Sequence, residues 1–386
     1  VLVVGAGPAG SACAQRLAEG GREVCLVDQH AFPRDKTCGD GLIPDALSAL
    51  RTLGVLDEVM EHAQPVTHVT CIAPRGGRVD VPSTMAVLPR RTLDHILVRS
   101  AQRAGAQLQP PARFDAPLLD GGRVVGARFQ MPDGPHEIQA RQVVLATGAP
   151  PQAMLATELC DRRSPSGIAL RGYIRHEGMQ DRIHTLQIIW HKRLAGGYGW
   201  IFPVRGGRFN IGAGYTGGRP AGAATLREMF DAFCDVHADA RDLVAGGTWE
   251  TELKGAPLRC SLTGARWSRP GLLATGEAIG STYAFTGEGI GKAMVFGLLA
   301  ADAVLQGAND ADVRSRYAAQ LTALKPRLDL YARAEHANKH PWVLDLVLWR
   351  ARRSPSIMRR MSGVLDETQN PGRVFSWRGV RKLLLE

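Results

Sequence analysis

The sequence has no CxxC pair and no paired Cys/His spacing; its seven cysteines, at 13, 25, 38, 71, 160, 234 and 260, are scattered singly. That pattern excludes a disulfide framework and a structural zinc site, so no metal centre is expected and most of these cysteines read as small buried apolar residues. No apolar run approaches the ~20 residues needed to cross a bilayer; the most apolar late segment, Trp342 to Trp349, is short and interrupted by Asp345. Internal repeats and low-complexity linkers are also missing. Aromatic residues make up only 6% of the chain, which makes their clusters worth locating. Basic residues exceed acidic ones by ten over the 386 residues. From Tyr331 onward there are 11 Lys/Arg against 5 Asp/Glu, so more than half of that excess lies in the tail. A basic surface attracts nucleic acid, anionic lipid or a phosphorylated ligand; with no nucleic-acid motif anywhere, no nucleic-acid partner is expected.

What is present begins at the first residue. Val1 to Val4 is a short β-type apolar run that ends in Gly5-Ala6-Gly7-Pro8-Ala9-Gly10. An Ala/Leu-patterned helix is predicted over Pro8 to Glu19, then a strand over Glu23 to Val27 that closes on Asp28. Strand, glycine turn, helix, strand and acid follow in the order that a dinucleotide fold requires. In that unit Gly5 permits the tight turn, Gly7 lets backbone approach a pyrophosphate, and Gly10 lets helix and strand pack closely. The free N–H groups of the helix end stabilise the phosphates, and Asp28, 18 residues beyond Gly10, accepts from an adenosine ribose. Because the run is already inside a strand at Val1, a few preceding residues are expected, and so early a nucleotide fold reads as cytoplasmic.

Further helices are predicted over Pro44 to Leu53, Thr92 to Ala104, Ala223 to Val236 and Gly287 to Leu305. Strands are predicted over Val66 to Ile72, Arg78 to Pro82, Met85 to Leu88 and Arg123 to Gln130 with a return through Ile138. Val143 to Leu145 and Gly271 to Thr275 read as buried strands, and Ser166 to Tyr215 alternates as antiparallel sheet. The remainder reads as helix broken at Pro341, Pro355 and Pro371. The expected fold is α/β: a Rossmann-type dinucleotide-binding domain interleaved with an antiparallel β-sheet substrate domain, plus a helical C-terminal region. The expected bounds are 1–65, 89–150 and 251–306 for the first, 66–88 and 151–250 for the second, and 307–386 for the third.

Two later segments point to FAD. Ala146-Thr147-Gly148 and Ala274-Thr275-Gly276-Glu277-Ala278 resemble the downstream signatures of flavoproteins that bind FAD in a dinucleotide fold. The resemblance implies that Thr147, Gly148 and Gly276 line the cofactor and that Glu277 grips its ribityl hydroxyls. Gly287-Glu288-Gly289-Ile290 would aim backbone N–H groups at the flavin ring, where they stabilise its anionic reduced form.

The segment Phe32-Pro33-Arg34-Asp35-Lys36-Thr37-Cys38-Gly39-Asp40-Gly41 resembles the motif of geranylgeranyl reductase-type flavoproteins, relatives of the aromatic hydroxylases and flavin halogenases. Tyr198-Gly199-Trp200-Ile201-Phe202-Pro203 is similar to their YxWxFP segment, Arg90 before Asp94 matches a cofactor-contacting basic position, and Ser354-Pro355 and Met361 to Leu365 resemble the family's tail. The likeness spans nearly the whole chain. It departs in two places: Gly276-Glu277 stands where Gly-Asp is usual, and Ala284 where a proline is common.

The resemblance implies an FAD-dependent oxidoreductase that delivers hydride to carbon–carbon double bonds of an isoprenoid or similarly hydrophobic substrate. It places Cys38 and Gly39 near the flavin, with Cys38 either shaping the pocket or assisting proton delivery, or else serving as a small loop residue. Tyr198 and Trp200 either line the substrate channel or are plain core. Arg34 and Lys36 are expected at the pyrophosphate or a ribose. No second nucleotide unit is recognisable, so the electron donor docks transiently, as NAD(P)H or a small redox protein. The basic tail is either a peripheral membrane contact or a solvated face. Rival readings are a flavin monooxygenase, a halogenase (which would want tryptophan where Tyr198 stands) and a flavin-binding protein without turnover.

Overall fold

A computed structural model describes residues 1–161, 164–217 and 222–369; the expected break at Pro371 lies outside the described residues. Two large sheets organise the chain. The first has six strands in the order Ser268–Arg269, Leu272–Ala274, Val143–Leu145, Leu2–Val4, Cys25–Val27, Gln107–Leu108. All neighbours are parallel except the first pair, and Leu2 is in register with both Val143 and Cys25. The four inner strands are short and Val- or Leu-rich, and their residues are almost wholly buried, as strands covered on both faces must be.

The helix Pro8–Glu19 follows the first strand, and Ile290–Gln306 packs against it. The approach is close enough that a Cβ on Gly297 would lie 2.1 Å from the Ala9 carbonyl oxygen. Within the glycine turn Gly5 has φ +99°, and a Cβ on Gly10 would lie 1.7 Å from the Gly5 oxygen. Both positions therefore exclude any larger residue.

The second sheet has nine strands. Along its path run Thr248–Trp249, Gly167–Arg175, Arg208–Tyr215, Gly197–Val204, Leu186–Ile189, Gln64–Ile72, Arg78–Val87 and Gly41–Leu42, with Lys254–Leu258 added to Gly167–Arg175. Pairing is antiparallel throughout except between Leu186–Ile189 and Gln64–Ile72. A three-stranded sheet, Arg113–Asp120, Arg123–Met131 and Gly134–Gln139, stands apart.

The structure corrects several sequence expectations. Arg78–Val87 is one strand, not two; a bulge at Ser83-Thr84 absorbs the irregularity that Pro82 introduces, since Val66 pairs with Met85 but His68 with Pro82. The helix expected from Ala223 begins at Leu226, because Thr225 and Glu228 form a reciprocal capping box. That expected from Gly287 begins at Ile290, because Gly287 has φ +71°. Helices Leu56–His62 and Ala238–Gly246 have too few apolar repeats to show in the sequence.

After Asp310–Ala334 the chain closes with Pro341–Ala351 and Pro355–Leu365, each opened by its proline in the first turn, where no N–H is needed. Among the described residues no helix is long and apolar enough to cross a membrane, and none of the His, Cys, Asp and Glu groups is arranged to hold a metal. All seven cysteines are thiols outside any disulfide.

Candidate active site

Three glycine segments meet at one place because their strands are neighbours. Gly5, Ala146-Thr147-Gly148 and Thr275-Gly276-Glu277 each follow the carboxyl end of an adjacent parallel strand of the first sheet, the position where such sheets bind ligands. From this edge a cavity of about 870 Å3 runs to the second sheet. Its walls include Gly7, Pro8, Ala9, Asp28, Gly148, Gly287, Gly289 and Ile290, together with Cys38 and Gly39. Gly10 and Gly276 stand behind the wall as packing residues, the latter with Ala9 2.5 Å from where its Cβ would lie.

The adenosine end is built as a diphosphate cradle. Gly7 caps the helix Pro8–Glu19 without offering a side-chain acceptor, so the first N–H groups remain available. The terminal nitrogens of Arg34 and Arg90 lie 3.7 and 3.8 Å from where a Gly7 Cβ would stand. Two guanidinium groups over a helix N-terminus suit a doubly charged diphosphate. Asp94 holds both in place: Arg90 donates to it twice, at 2.6 and 2.8 Å, and Arg34 approaches it at 3.0 Å. Burial works against the charge of Arg90, but the Asp94 carboxylate outweighs it and the guanidinium is held charged. Asp28 accepts the Ala6 N–H at 2.8 Å and that of His30 at 3.0 Å, which fixes its carboxylate at the end of its strand.

The middle of the cavity carries Thr147, whose hydroxyl is buried without a partner, and Lys36 facing Glu277 at 3.7 Å. Thr282 donates to the other Glu277 oxygen at 3.3 Å. An acceptor, a cation and a hydroxyl in one stretch suit a polyol chain such as ribityl. The residues present thus fit FAD from its phosphates to its ribityl segment.

The far end is aromatic. Tyr198, Trp200 and Phe202 alternate along Gly197–Val204 and so share one face of the strand. Their rings follow one another at centroid spacings of 6.2 and 6.4 Å, and Trp190 adds a fourth at 6.1 Å from Tyr198. The Tyr198 hydroxyl donates to the Thr286 carbonyl, which ties this ladder to the last glycine turn. Leu344, Val347 and Leu348 close the opposite side.

Beneath the ladder lies a polar network that the sequence reading missed. Trp200 donates to Asn210 at 2.9 Å; Asn210 donates to the Cys38 carbonyl at 2.7 Å and to Asp40 at 2.8 Å. Tyr173 donates to the same Asp40 oxygen, and Arg171 stacks over the Tyr173 ring at 4.3 Å. Asp40 is fully buried, and burial pushes its carboxyl up to about 6 against the pull of Tyr173, Arg171 and Asn210. The available signals were a lone Asn and a lone Arg inside the apolar strands Arg208–Tyr215 and Gly167–Arg175.

A second acid stands at the cavity wall. Burial, with the nearby carboxylates of Asp45 and Glu367, pushes Glu288 up to about 8 despite the pull of Lys292. Lys292 is itself consumed by ion pairs to Asp45 and Glu367. Glu288 is therefore a carboxylic acid that keeps its proton at neutral pH.

The FAD binding domain family matches residues 1–156. Digeranylgeranylglycerophospholipid reductase 1 of Methanopyrus kandleri is 30% identical over 321 residues, 82% of this chain and 83% of that protein. Menaquinone reductase of Mycolicibacterium smegmatis is 32% identical over 337 residues, covering 80% and 76%. Among solved structures, a geranylgeranyl bacteriochlorophyll reductase-like protein from Thermoplasma acidophilum superposes with a TM-score of 0.75 at 20% identity, over 100% of this chain and 95% of that one. A flavin-dependent brominase gives 0.76 at 17%, covering 100% and 97%, and shares the fold alone.

Proposed function

The chain belongs to the reductase family represented by digeranylgeranylglycerophospholipid reductase and menaquinone reductase, and from that premise we propose how its cavity works as an FAD-dependent reductase of isoprenoid double bonds. The observation that carries the reading is the continuity of one cavity from a diphosphate cradle to an aromatic chamber. A long apolar chain needs such a chamber, and the side chains of Trp190, Trp200, Phe202, Leu344 and Val347 supply apolar walls for one.

Bound FAD supplies hydride to a substrate carbon when reduced. The chain's own residues do the rest. Arg34 and Arg90 hold the diphosphate, Asp28 the adenosine ribose, and Lys36 and Glu277 the ribityl hydroxyls. Trp190, Tyr198, Trp200 and Phe202 position the isoprenoid and exclude water, so that the double bond meets no competing nucleophile. Glu288 holds a proton at its carboxyl oxygen, within the same cavity, for the carbon that does not receive hydride. Asn210 fixes the Cys38 carbonyl, which keeps the Arg34–Gly41 loop against the sheet. Cys38 shapes the pocket through that backbone contact. The electron donor, NAD(P)H or a small redox protein, docks transiently, since the six-stranded sheet is the one parallel dinucleotide-type sheet among the described residues.

Oxygen consumption separates this reading from a hydroxylase. Reduced holoenzyme mixed with air and a polyprenyl lipid takes up no more oxygen than holoenzyme without lipid, and yields no oxygenated product. Lipid-stimulated oxygen uptake with a hydroxylated product overturns the reading.

A further inference from the structure

The helix Pro341–Ala351 has two faces of opposite kind. Leu344, Val347 and Leu348 are nearly solvent-free and wall the cavity. Trp342 and Trp349, two turns apart on the other side, are 53% and 47% exposed. Leu346 lies between them at helical spacing, half-buried. Two such tryptophans on one face form an apolar surface that a soluble chain rarely leaves to water.

The charge around this stripe is of one sign. Residues 341–369 contain five arginines, and Arg352, Arg353, Arg359 and Arg360 are exposed. Arg353 lies over the Trp349 ring at 4.5 Å and Arg350 at 5.7 Å. The three acids of the same stretch are engaged elsewhere. Asp345 accepts the Arg75 N–H at 2.9 Å, Asp366 accepts from Ser83 at 3.0 Å, and Glu367 pairs with Lys292 and Arg327. The outer face therefore presents tryptophan and arginine without a competing carboxylate.

We propose that Trp342, Leu346 and Trp349, with the exposed Arg352 and Arg353 at the end of the same helix, form a docking surface for an anionic phospholipid bilayer. Tryptophan rings settle at the level of the headgroups, and arginines pair with lipid phosphates. The helix lies in the interface plane with its apolar stripe in the acyl boundary. The same helix walls the cavity with its inner face, so docking sets the isoprenoid chamber directly over the phase that holds such chains. This last point rests on the proposed function; the docking itself does not.

Flotation of the FAD-loaded protein with vesicles tests it. The protein floats with phosphatidylcholine–phosphatidylglycerol vesicles, more weakly with phosphatidylcholine alone, and less in high salt. Trp342→Ser with Trp349→Ser, and separately Arg352→Gln with Arg353→Gln, each lower partitioning about tenfold or more. Unchanged thermal midpoint and flavin absorbance show that the variants are folded, and turnover in detergent micelles stays at the parent rate. Failure of the parent to float with anionic vesicles, or equal flotation of parent and variants, overturns the proposal. A self-associating species in sedimentation, abolished by the tryptophan pair and unaccompanied by flotation, overturns it in favour of a second copy. Because the vesicles carry no substrate, absent flotation leaves isoprenoid reduction standing, and absent turnover leaves a flotation result standing.

Discussion

The side-chain amide of Asn210 donates to Asp40 at 2.8 Å, and the same nitrogen donates to the Cys38 carbonyl at 2.7 Å. One amide thus joins the floor of the antiparallel sheet to the loop that walls the cofactor cavity. Asn210→Ala leaves Asp40, Trp200 and the Cys38 carbonyl short of a partner in a buried setting, at about 1–3 kcal/mol for such a loss. A lowered thermal midpoint with weakened FAD retention is the expected result, measured by calorimetry and flavin absorbance.

The raised pKa of Asp40 makes stability depend on pH. Its carboxyl stands at about 6 in the folded chain against an ordinary 3.8, so the folded state holds this proton more tightly than the unfolded one. The associated stabilisation is fully present below the ordinary value and is lost as pH rises through about 6. The shift corresponds to on the order of 3 kcal/mol. Asp40→Asn removes this dependence, so the variant gains stability relative to the parent as pH rises across that window, as denaturant titrations at several pH values would record.

Glu288 keeps its proton up to about pH 8 because burial and the neighbouring Asp45 and Glu367 carboxylates disfavour its charge. Turnover should fall as pH rises through that value, since the proton required at the second carbon is then gone. Glu288→Gln should lower kcat by about a hundredfold and remove the alkaline limb, while flavin content stays unchanged. The pH profile of kcat with FAD-saturated enzyme checks both.

Two glycines of the same turn should behave in opposite ways. A Cβ at Gly7 meets only the ends of Arg34 and Arg90 at 3.7 and 3.8 Å, whereas one at Gly10 would overlap the Gly5 carbonyl. Gly7→Val therefore leaves a folded protein that no longer retains FAD, because its side chain occupies the diphosphate space. Gly10→Ala destabilises the fold itself, by about 1–3 kcal/mol or more. Flavin content and denaturant midpoints of the two apoproteins distinguish these effects.

Much of this architecture was legible in the sequence because its signals are local. The Gly5–Gly10 turn, the strand ending at Asp28 and the YxWxFP alternation each place their residues by short-range geometry alone. The Asn210–Asp40–Tyr173 network was not legible, since its members are separated by as many as 170 residues and meet only through sheet pairing. Arg90, by contrast, was offered by the sequence as a cofactor contact four residues before Asp94, and the fold binds it to that carboxylate one turn away. The bulge at Ser83-Thr84 was hidden because a proline inside a strand pattern reads as a break until its partner strand is known.

The central claim is that this cavity reduces isoprenoid double bonds with hydride from FAD, and product mass under anaerobic conditions tests it most directly. Holoenzyme reduced in the absence of oxygen and mixed with a geranylgeranyl lipid should yield a product two hydrogens heavier per turnover, with the flavin returning to its oxidised spectrum in step. A flavin that stays reduced, with the lipid recovered unchanged at every concentration, would contradict the account.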